Sequence, residues 1–280
     1  QWWIDKLRCQ YPHQYEAILL ANNRHPPMTL RVNRRKTSIA DYQVLLNQCE
    51  FESRQVWDNA LMLSKPVSTQ ELPMFEQGYV SIQDAGAQLA AHFLEIDDGM
   101  TVLDACAAPG GKSTHLMEIA NIHLTVLDND QQRLDRVSEN FKRLGIEPFR
   151  QVCGDAVLPS SWWDGKPFDR ILADVPCSAS GVVSRHPDIK WLRRIADFPT
   201  FANIQKNILD ALWPLLKSDG KMLYVTCSVF AEENCQQVKK FLDKHSDARL
   251  LPIAHEEINN GQLIPNLFHD GFYYALFYKV

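Results

Sequence analysis

From Thr101 onward, short apolar segments alternate with longer segments of helical periodicity, and this alternation constrains the fold more than any other feature of the chain. TVLDAC precedes a helical pattern opening at Lys112, and HLTVLD precedes one running through Arg133 and Phe141. A third strand leads into CGDA; RILADV, KMLYVTC and FYYALFYKV follow, with helical patterns over 201–216 and 232–245. Such alternation predicts an α/β fold, a doubly wound and mostly parallel sheet with helices on both faces. The last strand follows loop-rich sequence over 252–271, so an antiparallel direction stays open for it. Ligands of such sheets bind beyond the carboxyl ends of the strands, near the point where strand order reverses.

The first 75 residues read differently. A helix is expected over 2–22, then the loop RHPP, a strand over 28–33, a basic turn and a helix over 39–49. We assign 1–75 to a small α+β subdomain and 76–280 to the α/β domain. Pro66 and Pro73 mark the linker, and a further helix is expected over 83–94. At 280 residues, 45% apolar and 22% charged, the chain has ample material for a core, which excludes a disordered tail. Its longest apolar runs, such as 273–278, fall far short of the roughly 18 residues of a membrane span. The opening at Gln1 rather than methionine, with Trp2, Ile4 and Leu7 already in a helical pattern, points to a fragment or a processed product.

Seven cysteines (9, 49, 106, 153, 177, 227 and 235) form no C-x-x-C pair, so neither a zinc site nor a disulfide framework fits. No metal is expected, and a reduced, cytoplasmic setting is the simpler expectation. The net charge of −5 excludes nucleic-acid binding through overall charge. It is unevenly spread, however: residues 1–75 carry nine Lys+Arg against seven Asp+Glu, leaving 20 against 27 elsewhere. Two local patches stand out, Arg31 with Arg34, Arg35 and Lys36, and Arg185 with Lys190, Arg193 and Arg194 around Asp188. His186 and Trp191 lie in the second patch as possible stacking groups, although core burial is the more ordinary fate of a tryptophan.

The strongest local signal is DACAAPGGKST, Asp104 to Thr114, a small-residue loop between a strand and a helix. Gly110 and Gly111 would let backbone approach a ligand. A P-loop would need glycine where Cys106 stands, and the dinucleotide pattern G-x-G-x-x-G is absent. S-adenosylmethionine, which carries no phosphate, fits a loop of mainly small residues. One strand later Asp128 is placed to accept from ribose hydroxyls, with Asp130 as the next helix cap, and Asp155 is placed to accept from an adenine amino group. The fourth strand ends in ADVPCSASG and the fifth in YVTCSV, so Cys177 and Cys227 share a pocket if those strands are neighbours. A thiol is the group needed to attack the electron-poor carbon of a pyrimidine. Cys9, Cys49, Cys153 and Cys235 are expected to be small buried side chains.

Taken together, DACAAPGGK, LDND, GDA, DRILADVPCSASGVVSRHPDIKW and YVTCSVFAEEN resemble the RNA cytosine-C5 methyltransferases, over essentially the whole chain. The likeness is greatest to members acting on bacterial small-subunit ribosomal RNA, which usually carry an additional amino-terminal helical RNA-binding domain beyond these motifs. The resemblance implies a Rossmann-like S-adenosylmethionine-dependent enzyme with small-subunit ribosomal RNA as partner; a monomer is the default expectation, and the short apolar runs leave no membrane partner expected. It implies that Cys106, Ala107, Ala108, Pro109, Gly110, Gly111 and Lys112 surround the methionine part of the cofactor. Asp128 would hold the ribose and Asp155 the adenine edge, while Asp174 would lie beside both the cofactor and the reacting base. Cys227 would be the nucleophile and Cys177 would assist product release. Two other readings remain: an exocyclic amino methyltransferase, from whose Asp/Asn-Pro-Pro-aromatic motif Asp174-Val175-Pro176-Cys177 departs, and a catalytically silent RNA-binding assembly factor.

Overall fold

A computed structural model describes residues 1–58, 60–147 and 150–280. The amino-terminal part holds helices α1 (Trp2–Gln10), α2 (Tyr15–Asn22) and α3 (Ile39–Gln48) with strands β1 (Thr29–Val32), β2 (Ser53–Val56), β3 (Ala60–Leu63) and β4 (Val80–Ile82). These strands form an antiparallel sheet in the order β2-β3-β1-β4. The single helix expected over 2–22 is two, because Pro12 supplies no N–H and disfavours helical geometry at Tyr11 before it. β4 lies beyond residue 75 yet pairs with β1, Arg31 opposite Ser81.

The larger part begins with α4 (Ala85–Phe93) and continues β5 (Thr101–Ala105), α5 (Gly111–Ile119), β6 (His123–Asp128), α6 (Gln131–Leu144), β7 (Arg150–Cys153) and β8 (Phe168–Asp174). It ends with α7 (Ile189–Leu192), α8 (Asp197–Leu212), β9 (Leu216–Thr226), α9 (Cys235–Lys244), β10 (Ala248–Leu251), β11 (Ile258–Asn259), β12 (Gln262–Leu263) and β13 (Phe272–Lys279). The sheet order is β11-β12-β13-β9-β8-β5-β6-β7, with β10 on β13. From β7 to β9 all pairs are parallel, whereas β13 runs antiparallel to β9, settling the direction left open by the sequence. Strand order reverses at β5, so its carboxyl end and those of β6 and β8 surround the crevice where ligands bind in such sheets.

Local sequence explains why the helices around the crevice stop and start where they do. Asp130 caps α6 through its carboxylate, which accepts from the N–H groups of Gln132 and Arg133. Leu134, Val137, Phe141 and Leu144 bury one face of that helix, and Gly145, at φ 69°, ends it in left-handed geometry. Two apolar layers, one on each side of the sheet, complete the core; Leu103 and Ile171 face one layer and Val102 and Leu172 the other, as alternation along a strand requires.

The two parts are tied by Arg31 of β1, whose side chain is fully buried. Its guanidinium donates from Nε and Nη2 to the Glu118 carboxylate at 3.0 and 2.6 Å, and from Nη1 to the Gly111 carbonyl and to Gln83 Oε1, both at 2.6 Å. A further bond reaches Thr114 Oγ1 at 3.0 Å, so α5 is held to the small sheet at both ends of its first two turns. Arg31 therefore leaves the first basic patch, in which Arg34, Arg35 and Lys36 remain exposed.

Candidate active site

The loop that leaves β5 turns at Cys106, at φ 64°, where the chain is anchored by Ala107 N–H donating to the Leu127 carbonyl at 2.9 Å. Gly110 adopts φ 91°, and a Cβ there would stand 3.0 Å from Val137 Cγ1 on α6. Backbone conformation and helix packing by themselves already require glycine here. Asp128, at the end of β6 and 2% exposed, fixes the loop from the other side. Its Oδ2 accepts from Ala108 N–H at 3.1 Å and its Oδ1 from Asp130 N–H at 3.2 Å, with Arg133 Nη1 at 3.4 Å.

Beyond these strand ends lies a cavity of about 470 Å³, within the range of small-molecule sites. Cys106, Ala108, Asp128, Asp155, Asp174, Cys177 and Cys227 all line it, so the structure brings most of the predicted residues onto one space. Ala107 and Gly110 are buried in the loop, while Pro109 is exposed and offers its carbonyl to Asn140. Gly111 opens α5 with its carbonyl on Arg31. Asp155 is exposed, its Oδ1 accepting from Val157 N–H at 3.0 Å. Arg133, Ile204 and Asn207 also line the space and carried no signal in the sequence.

β8 and β9 are parallel neighbours, and their ends bring Cys177 Sγ to 3.3 Å from Cys227 Sγ. The hydrogen bond between them, burial and the nearby Glu233 carboxylate push the Cys177 thiol well above its ordinary pKa. At the same strand end Lys112 Nζ donates to Asp174 Oδ2 at 2.6 Å. Burial pulls the Lys112 ammonium down, and the Asp174 carboxylate more than offsets it, with a further contribution from Cys227; Lys112 stays charged within electrostatic reach of that sulfur. Buried Asp104 on β5 has, among the described residues, a single side-chain partner, Ser113 Oγ at 2.5 Å, and desolvation raises its pKa to about 7.

Sequence reasoning missed Glu233. This fully buried carboxylate receives Ser178 N–H at 2.7 Å, Ser178 Oγ at 2.6 Å, Ser228 Oγ at 2.6 Å and Gln205 Nε2 at 3.1 Å. Ser178 follows Cys177 and Ser228 follows Cys227, so one side chain ties both cysteine loops. The only signal was its place in FAEEN, just after the fifth strand's thiol.

Three other expectations are corrected. Cys9, Cys49, Cys153 and Cys235 are exposed, not buried; they sit at helix faces or strand ends directed to solvent. Arg185 is clamped between Asp84, at 3.0 Å, and Asp270, which removes it from the second basic patch. Trp191 is 85% exposed: in the single turn of α7, Ile189 takes the buried position and a residue two further on points away from the core.

A parallel sheet whose order reverses at β5, with a carboxylate-lined crevice beyond its strand ends, has the architecture of the Rossmann-like methyltransferase class. A family comparison matches residues 91–278 to the 16S rRNA methyltransferase RsmB/F family and residues 1–70 to the ferredoxin-like domain of RsmF/B-like methyltransferases, and the chain belongs to that family. It is 45% identical over 282 residues to the ribosomal RNA small subunit methyltransferase B of Yersinia enterocolitica, covering 99% of this chain and 66% of that one. The crystal structure of a methyltransferase homolog from Pyrococcus horikoshii, 27% identical, matches with a TM-score of 0.86 over 99% of this chain and 94% of that one. NSun6 of the same organism, solved with SFG, matches with a TM-score of 0.87 over 99% and 97% at 20% identity, which bears on the fold. Among the described residues no helix is long and apolar enough to cross a membrane, and no group of three or more His, Cys, Asp or Glu could hold a metal.

Proposed function

We propose that this chain methylates C5 of a cytosine in small-subunit ribosomal RNA, using S-adenosylmethionine and a covalent cysteine adduct. The observation that carries the reading is the pair of thiols 3.3 Å apart on a cavity whose polar lining includes Asp128, Asp155 and Asp174. Three carboxylates against Arg133 suit a cationic nucleoside and repel a phosphate-bearing one. Asp128 would hold the ribose, Asp155 the adenine edge, and the loop from Cys106 to Lys112 the methionine part. When bound, the cofactor supplies the electrophilic methyl group that an activated C5 accepts.

Cytosine C5 is too weak a nucleophile unaided. In the proposed route the Cys227 thiolate adds to C6 and the C5–C6 π electrons move to C5, making it the nucleophilic carbon. Lys112 favours that thiolate by its charge, and Asp174 meets N3 or the N4 amino group of the ring. After methylation a base takes the C5 proton, the double bond reforms and the C6–S bond breaks, returning Cys227. Cys177, whose surroundings favour its protonated form, would serve that release. The target must leave its stack to reach Cys227, which favours a single-stranded nucleotide. We also propose residues 1–75 as an RNA-contact unit, supported by the exposed Arg34, Arg35 and Lys36, none of which is paired with a carboxylate among the described residues.

Methyl transfer from labelled cofactor into small-subunit RNA, followed by mapping of the modified base, tests the reading. Cys227→Ala is expected to abolish turnover, and Cys177→Ala to accumulate a covalent protein–RNA adduct. Label in an exocyclic amino group, or normal methylation by Cys227→Ala, would overturn it.

A further inference from the structure

The chain that follows Cys177 returns to the surface carrying an unusual group of side chains. Arg193 Nε donates to the Ser178 carbonyl at 3.0 Å, which fixes this segment against the loop next to Cys177. Ile189 is buried beneath it, yet Trp191, Leu192 and Ile195 are exposed by 85%, 64% and 60%. Helix α8 begins two residues after Ile195, and its Ile204 lines the cysteine cavity. Trp191 and Ile204 thus stand thirteen residues apart on one stretch of chain, which passes from the indole to the cavity wall.

The charges around that indole identify its occupant. Between Ile189 and Ala196 there are three cations and no acid. Lys190 is bonded to the neutral Asn23 side chain, and the exposed Arg194 guanidinium forms no ion pair among the described residues, although its backbone N–H donates to Asp197 Oδ2 at 2.8 Å. Arg185, by contrast, is neutralised by Asp84 and Asp270. A flat aromatic face between the Lys190 and Arg194 cations, with Asp188 and Asp197 at the two ends of the segment, matches a single-stranded nucleic acid, whose bases stack and whose phosphates are anionic. A protein partner for this patch would have to be acidic and apolar at once, whereas the proposed substrate of the cysteine cavity is itself a nucleic acid.

We propose that Trp191 is the stacking platform for an unpaired nucleobase neighbouring the one that enters the cysteine cavity, with Lys190 and Arg194 bearing on the adjoining phosphates. The inference rests on the RNA reading above and adds to it a residue that sets which flanking nucleotide is gripped. Because stacking tolerates any base, the contact contributes affinity and register rather than base identity.

The test compares wild type with Trp191→Ala, Trp191→Phe and Arg194→Gln. Binding of a fluorescein-labelled single-stranded RNA spanning the mapped cytosine is measured beside methylation kinetics and S-adenosylhomocysteine affinity. Trp191→Ala is expected to weaken RNA binding and raise the RNA KM by about 10- to 100-fold, with cofactor affinity and melting temperature unchanged. Trp191→Phe is expected to stay within a few-fold of wild type, and Arg194→Gln to lower the salt dependence of binding. In a set of RNAs with one abasic nucleotide each, one position flanking the target should weaken wild type as much as the alanine change does and weaken Trp191→Ala no further. Unchanged RNA affinity in Trp191→Ala, or additive losses at every abasic position, overturns the platform and leaves the patch to a protein partner. Failure of wild type to methylate cytosine would sink the functional reading instead; the binding measurements decide the platform on their own, using the same RNA unmodified.

Discussion

Replacing Glu233 separates its two effects, holding the cysteine loops and charging their surroundings. In Glu233→Ala four donors lose their acceptor. The two serine hydroxyls can turn to each other, since Ser178 Oγ and Ser228 Oγ already stand 3.3 Å apart, and Gln205 Nε2 keeps the Pro176 carbonyl at 3.0 Å. Ser178 N–H alone is orphaned, at about 1–3 kcal/mol, and the space left by the side chain adds a cavity penalty of similar size. The expected loss is therefore roughly 3 kcal/mol, or about 6–12 °C in melting temperature for a chain of this size. Glu233→Gln is different. Its carbonyl oxygen can keep Ser178 N–H and Gln205, and its amide can donate to hydroxyls that are free to accept. It should cost about 1 kcal/mol or less while removing the negative charge beside Cys177. Alkylation followed by peptide mass spectrometry across pH 6 to 10 reads the second effect: Cys177 should react at lower pH in Glu233→Gln than in wild type. If Cys177 titrates identically in both, or if Glu233→Ala melts with wild type, the assignment of this carboxylate is wrong.

Other expectations follow from the same geometry. Arg31→Met strands Glu118 as a buried, unpaired charge and should lose about 3–5 kcal/mol, partly restored by adding Glu118→Gln; urea unfolding of the two variants decides it. Asp104 keeps its proton in the folded state up to about pH 7 but ionises near 3.8 when unfolded, so the folded state binds more protons between those values and stability falls as pH rises through that window. Asp104→Asn should flatten that decline, and calorimetry at pH 5 and pH 8 showing equal declines would refute it. Under native conditions Cys9, Cys49, Cys153 and Cys235 should alkylate quickly and Cys106, whose thiol burial pushes up, slowly; a fast Cys106 would mean that the loop opens.

The parallel sheet was readable because strand and helix periodicities are local, and connection rules then leave few topologies. That topology also made the site readable, since Asp128, Asp174, Cys177 and Cys227 all sit at or just past carboxyl ends of strands. β2 and β3 escaped notice: four residues each, they are too short for alternation to register, and the exposed Arg54 and Gln55 of β2 are consecutive. Arg31 and Glu233 were illegible for another reason. Their meaning comes from partners 87 and 55 residues away, and no local pattern marks a charge that distant groups will bury. Trp191 misled because a hydrophobicity argument assumes that a core is available, and a one-turn helix presents only one side to it.

The bridge through Arg31 makes the amino-terminal sheet more than an appendage. A guanidinium bonded to the Gly111 carbonyl, where the loop after β5 enters α5, means that anything tilting the small sheet also strains the first turn of that helix. Grafting a foreign recognition module in its place would forfeit the cation that Glu118 requires, so swaps at this junction should succeed only when strand β1 and helix α5 travel as a matched set.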